Sequence, residues 1–367
     1  MDGRLLRTVV TLAAAVSIVA ALGATSAGAV TITPVATGLD NPRSMAFGPN
    51  GALYVAEAGE GGNDFCFEHP ALGPVCGGPS GAVTRLWKGK QERILRGLPS
   101  FVNEDGEALG PSDVNPHGNG NLYVTIGLGD NPAVRDTFPA SARLHGWLVK
   151  GNPSGTWRPS VDIAAFEAAN DPDAGQPGTH VDSNPNGVAA LPGGRAVVDA
   201  GANDLLWVDA SGDISVLAVF PVRFVPNPFG GPMVPMQPVP TSIAVGPDGA
   251  FYVGQLTGFP FPFGGANVFR IVPGQAPTVY ASGFTNVLDI AFGPDGSLYV
   301  AEIAHFGLLS GNPAGGIWRV PPGGGTPQLL TTSVMLPGGI AVAPNGSLYV
   351  STCAPCSDVG QVVRIVP

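Results

Sequence analysis

The sequence predicts an all-β protein: a six-bladed β-propeller of four-stranded antiparallel blades, with the ring closed by the N-terminal strand pairing onto the last blade. Three observations predict it. A hairpin motif, "GPNGALYVAEAG" at 48–59, returns as "GPDGSLYVAEIA" at 293–304, as "GPDGAFYVGQLT" from Gly246 and as "APNGSLYVSTCA" from Ala343, with weaker copies from His117 and Leu191. Each copy alternates apolar and polar residues on both sides of a Gly-containing turn, Asn-Gly or Asp-Gly in all but the Leu191 copy, a period-2 pattern that excludes a helical repeat. The last copy stops after its third strand, "QVVRIVP", while an orphan strand, "VTITPVATG", precedes the first. Pairing the two completes the sixth blade and removes an exposed sheet edge.

In chain order, residues 1–29 read as a secretory signal: Arg4 and Arg7, an apolar run "LAAAVSIVAALG", then small residues placed for cleavage before Val30. The run is short for a membrane span, and no Cys follows for lipid attachment. Residues 30–367 form the propeller, and secretion is expected. In the first unit "SMAFGP" and "ALYVAEA" are the first two strands, and "AVTRLWK" and "ERILRG" the third and fourth around Gly89. The 54 Gly and 38 Pro fall at repeating turn positions rather than as low complexity. Without residues 1–29 the chain carries 15 basic and 26 acidic side chains, a balance that argues against nucleic acid and anionic lipid as partners.

Aligning the six copies places equivalent side chains around the channel. At the end of the second strand the ring reads Glu57, Ile126, Asp199, Gln255, Glu302 and Thr352. In the first strand two adjacent rings read Arg43, Ser112, Asn186, Thr241, Leu288, Gly338 and Ser44, Asp113, Gly187, Ser242, Asp289, Gly339. Candidate ligand-binding residues are Arg43, Glu57, Asp113, Asn186, Asp199, Gln255 and Glu302. Asn41, Asn184 and Asn286 precede the first strand in alternate blades, and with Asp289 they form a candidate oxygen set for Ca²⁺, a Lewis acid for lactone or ester hydrolysis. The competing reading is that these Asn and Asp residues cap turns, and that Glu57 and Glu302 mark a strand end. No other cofactor is implied.

Nucleophile-elbow, zincin, P-loop and dinucleotide motifs are absent, and His69, His117, His145, His180 and His305 lack metal-ligand spacing. The "NGS" at Asn345 falls on the repeat's own turn and reads as turn chemistry. Cys66 and Cys76 share a loop of the first unit, and Cys353 and Cys356 ("CAPC") the corresponding loop of the sixth. An even Cys count in an exported chain predicts disulfides, local or across the closure seam; a thiolate zinc site and a redox role are the alternatives.

The segments "LDNPRSMAFGPNGALYVAEAG", "GAVTRLW" after the Cys pair, "VDIAAFEAANDPDAG" and "VDSNPNGVAALPGG" resemble the ScyD/ScyE family of exported bacterial propellers, related to NHL-repeat proteins. The resemblance covers nearly the whole chain after residue 29. It implies a six-bladed propeller outside the cytoplasm and a link to scytonemin, an indolic and phenolic sunscreen; it supplies no catalytic residues. Asn186 stands where this family carries an aromatic residue. The functional expectation is a monomeric binding or scaffold protein that recognises a small molecule, glycan or protein through its loop face. Two Pro- and Phe-rich insertions carrying Phe229, Phe261 and Phe263 either extend that face or fold back onto neighbouring loops. The alternative is the Ca²⁺-assisted lactonase or esterase.

Overall fold

Twelve-residue motifs of this kind fold as hairpins because of their turn. In four of the copies the Gly takes a left-handed conformation, at Gly51, Gly249, Gly296 and Gly346 (φ 76°, 78°, 79° and 81°). The preceding Asn or Asp accepts a hydrogen bond two residues on: Asn50 from Ala52, Asp248 from Ala250, Asp295 from Ser297 and Asn345 from Ser347. Asn345 is thus occupied in its turn, as the repeat implies.

The computed structural model describes residues 30–118 and 120–366, so the expected signal at 1–29 lies outside the described residues. They form six antiparallel blades. From the channel outward, blade one holds Pro42–Phe47, Leu53–Glu57, Gly73–Trp87 and Lys90–Asn103, and blade two Pro111–His117, Asn121–Ile126, Trp147–Gly151 and Trp157–Asp162. Blade three holds Pro185–Leu191, Gly194–Asp199, Asp204–Asp209 and Ile214–Val219, and blade four Pro240–Val245, Phe251–Gln255, Ala266–Ile271 and Thr278–Phe284. Blade five holds Val287–Phe292, Leu298–Glu302, Ala314–Val320 and Gln328–Met335. Blade six is Gly339–Val342, Leu348–Thr352 and Gly360–Val366, with Thr31–Leu39 as its outer strand.

Each first strand lies against the first strand of the next blade, and the sixth returns to the first. Second strands are buried on both faces, as at Leu53–Glu57 and Leu298–Glu302, because adjacent blades sandwich them. The apolar core therefore lies between blades. One cluster joins Tyr54, Val83 and Leu95 of blade one to Val114, Leu122 and Val149 of blade two.

The N-terminal strand pairs antiparallel with the last one, Thr31 opposite Val366 and Leu39 opposite Gly360. Around this seam the Asn41 N–H donates to the Cys356 carbonyl (2.7 Å), and the Asp358 N–H to Asp40 Oδ1 (2.8 Å). Arg93, on the outer strand of blade one, grips Glu57 (Nη2–Oε2 2.7 Å) and Asp40 (Nη2–Oδ2 2.8 Å) and donates to the Gly38 carbonyl. The disulfides are the local pairs, Cys66–Cys76 and Cys353–Cys356, so the seam is noncovalent.

Blade one extends beyond the expected strands. Its third and fourth strands run for 15 and 14 residues, and the Cys loop is itself a hairpin, with Phe65–His69 paired to the third strand and Cys66 opposite Cys76. The longer insertions add a helix, Ile163–Asn170, before blade three and a short hairpin, Arg223–Val225 with Val234–Met236, before blade four.

Glu57 is fully buried and ion-paired, so removing its partner leaves a charge uncompensated. Arg93→Ala is expected to lower stability by about 3 kcal/mol in urea denaturation; a loss below about 1 kcal/mol would show that Arg93 is a surface contact and not part of the closure.

Candidate functional site

The first-strand alignment proves to be a spatial ring. Its inner layer reads Ser44, Asp113, Gly187, Ser242, Asp289 and Gly339, so blades one to three and four to six repeat the order Ser, Asp, Gly. Asp113 Oδ2 accepts the Val188 N–H and Asp289 Oδ2 the Ile340 N–H, both at 2.8 Å, so each Asp binds the first strand of the following blade. The glycines are required by close approach: a Cβ on Gly187 would stand 3.1 Å from Ser242 Cα, and one on Gly339 2.5 Å from Ser44 Cα. Burial pushes the Asp113 carboxyl up to about 6. Asp289 is held well above the usual carboxylate range, first by burial and then by the charge of Asp113.

The outer layer opens into a cavity of about 410 Å³ at the channel mouth. Arg43, Asn186, Thr241 and Leu288 line it from the first strands of blades one, three, four and five, and Asn184 lines it from the connector into blade three. Leu109, Leu256, Ile303, Leu308 and Phe261 supply an apolar wall. Arg43 donates from Nη2 to the Ala108 carbonyl (2.6 Å); burial lowers its pKa and the nearby Glu107 charge opposes the shift. Asp182, on the same wall, is pushed up to about 7 by burial and then by the Asp199 charge. His69 also lines the cavity, but its Nδ1 accepts from the Ala71 and Leu72 N–H groups, so Nε2 carries the proton and donates to the Leu128 carbonyl (3.2 Å). Burial lowers its pKa, and the imidazole is a neutral pin rather than a free base.

The other sequence candidates lie elsewhere. Glu57, Asp199, Gln255 and Glu302 are buried and do not line the cavity. Each of the three carboxylates holds the backbone N–H of the connector entering its own blade: Glu57 from Asp40 (2.8 Å), Asp199 from Asn184 (2.6 Å) and Glu302 from Thr285 (2.6 Å). Gln255 Oε1 accepts from the Asn267 N–H within blade four. Glu302 Oε2 also meets His305 Nδ1 at 2.7 Å.

The Asn set stitches blades. Asn41 and Asn286 adopt left-handed backbones (φ 51° and 52°). Asn286 donates to the Leu256 carbonyl of blade four, Asn41 donates to Ser357 Oγ of blade six, and Asn184 Oδ1 accepts from the Leu128 N–H of blade two. Only Asn184 of this set reaches the mouth cavity, and both Asp289 oxygens accept backbone N–H groups inside the channel. Asn41, Asn184, Asn286 and Asp289 thus each make a contact between blades, and Asn41 Oδ1 is buried without a partner.

Leu109, His69 and Asp182 were not candidates from sequence, because they come from insertions that the repeat alignment does not register; Phe261 was named only as part of a Pro- and Phe-rich insertion. Phe261 is half-buried against the cavity, whereas Phe229 and Phe263 are 85% and 70% exposed. An aromatic chain runs outward from the mouth, with Phe261 edge-on to Phe259 and Phe259 stacked near Phe229.

No known family profile and no curated protein sequence matches the chain. Among solved structures it is similar to a glucose dehydrogenase (TM-score 0.54, 15% identity, 92% of this chain and 99% of that one). It is also similar to an aldose sugar dehydrogenase from Streptomyces coelicolor in its PQQ-bound form (TM-score 0.51, 13% identity, 92% and 98%). A third is a protein of unknown function from Bacteroides thetaiotaomicron (TM-score 0.53, 8% identity, 92% and 76%). At these identities the likeness is one of fold. The chain belongs to the six-bladed β-propellers by architecture.

The channel pair makes stability depend on pH. Both carboxyls titrate higher when folded than in the unfolded chain, where Asp loses its proton near pH 4, so the folded state binds more protons and their contribution declines as pH rises from about 4 through 6 and above. Asp289→Asn, with one backbone acceptor fewer, is expected to be less stable than wild type at pH 4.5. Its deficit should shrink by at least about 1 kcal/mol at pH 7.5 in paired urea melts; a constant or growing deficit contradicts the coupling.

Proposed function

We propose that this protein is an exported, non-catalytic binding propeller that takes an amphipathic small molecule at the mouth of its channel. The observation that carries the reading is the mixed lining of this cavity, where Arg43, Asn186 and Asp182 stand among Leu109, Leu256, Leu288 and Phe261. A few polar groups in an apolar pocket orient a ligand, and exposed aromatics at the rim add rigid contact area. Phe263 and Phe306 flank His305 on the same side, and both are exposed. Two disulfides suit an oxidising compartment, in keeping with the signal-like residues 1–29. The ScyD/ScyE resemblance, carried by sequence motifs, supports the same location.

The hydrolase reading is weaker because its four proposed Ca²⁺ donors serve separate contacts, and because both nitrogens of His69 are engaged. A glycan or a protein partner would use the rim more than the cavity.

Titration with 8-anilinonaphthalene-1-sulfonate, an aromatic anion, tests the reading. Saturable one-to-one binding is expected, weakened about tenfold or more by Arg43→Ala, the range for losing a hydrogen bond to a charged group, and abolished by Leu288→Lys. Binding unaffected by both variants would move the site to the exposed Phe rim.

A further inference from the structure

The helix Ile163–Asn170 ends with charge of the wrong sign. A helix C-terminus is partly negative and favours cations. Here Glu167 occupies the last turn, Asp171 caps it in a left-handed conformation (φ 40°), Asp173 follows, and the turn has no basic residue. Carboxylate oxygens of Glu167, Asp171 and Asp173 lie within 4.8 Å of one another, while Glu167 and Asp173 are only 1% and 2% exposed. Crowding buried carboxylates in this way is costly unless something positive joins them.

Asp204, from a different element, is the chain neighbour of Asn203, which bonds Asp173. It opens the third strand of blade three, is fully buried, and has no hydrogen-bond partner on either carboxylate oxygen. Burial holds its carboxyl well above the usual carboxylate range, and the charges of Asp199, Glu167 and Asp173 add to the shift. Both oxygens of Glu167 and one each of Asp171 and Asp173 are also buried without partners. Asn203 donates to Asp173 Oδ2 (2.7 Å), and His180 is the basic group that offsets Asp173. Buried polar atoms in folded proteins nearly always have a partner, and so many unpartnered carboxylate oxygens around one point describe a ligand set.

We infer that Glu167, Asp171 and Asp173 form a calcium site at the end of the helix Ile163–Asn170, tied to blade three through the Asn203 bond to Asp173. The set is all oxygen, which selects a hard cation, and oxygens less than 4.8 Å apart suit Ca–O distances of about 2.3–2.6 Å. Half-buried Asp171 and the exposed Ala174 and Gly175 leave a way in from solvent. The site is distinct from the Asn41, Asn184, Asn286 and Asp289 set.

The test uses the full chain, stripped with EDTA and dialysed, with Ca²⁺ as the probe in calorimetry and thermal melts. One Ca²⁺ per chain is expected, with a Tm that rises by several degrees at 1 mM Ca²⁺ and much less at 1 mM Mg²⁺. Asp171→Asn with Asp173→Asn should weaken Ca²⁺ binding at least about 100-fold while melting, without Ca²⁺, no lower than the stripped wild type. Glu167→Gln provides the same test if the double variant folds poorly, and Asn184→Ala should leave Ca²⁺ binding intact. Absence of binding heat and Tm shift up to 10 mM Ca²⁺ overturns the proposal. So does a shift that survives in the Asp171, Asp173 and Glu167 variants, because the ion would then bind elsewhere.

Discussion

A ring of blades is stable only if it closes, and here closure rests on one strand pairing. Thr31–Leu39 supplies the outer strand of a blade whose other three strands come from the opposite end of the chain. Without it Gly360–Val366 would be an open edge, and the buried contacts between blades six and one would have nothing to hold them. Arg93 ties the pairing to blade one by gripping Glu57 and Asp40, while Asp40 in turn holds the Asp358 N–H. Because the disulfides stay local, this seam carries its load through hydrogen bonds and the two ion pairs of Arg93.

Closure also explains where the polar residues go. Six first strands must approach closely around an axis, and the Ser, Asp, Gly order repeated in two halves lets them do so. The aspartates bind the next strand's backbone, and the glycines leave room for it. Glu57, Asp199 and Glu302 do the same for the connectors, and the asparagines do it between blades. Side chains that look like a ligand ring when aligned are mostly what holds the blades in register. The surface left for recognition is the mouth, where Arg43 and Asn186 share a cavity with residues from the insertions.

That division sets how much could be read from sequence. The fold was legible because its signals are local and repeated: an Asn-Gly or Asp-Gly turn and a period of two. The strand positions of Arg43 and Asn186 followed from the same alignment, and both line the mouth cavity. The alignment could not distinguish Arg43 from Glu57, since both sit at ring positions and only the path of a neighbouring connector decides which is covered. The extended hairpin of blade one, with His69 and Leu109, has no counterpart in the other copies. The carboxylate cluster was invisible for a related reason: Glu167, Asp171 and Asp173 lie in "FEAANDPDAG", an insertion, and come together only at the folded helix end.

Hydrogen exchange of the folded protein tests the closure most directly, by comparing amides of Thr31–Leu39 and Gly360–Val366 with those of the buried strand Leu53–Glu57. If the terminal strand closes the ring, its paired amides exchange only through global unfolding, at the rate of the buried strand. Exchange within the terminal pair as fast as in the exposed loops would mean that the ring stands without this strand, and would contradict the account.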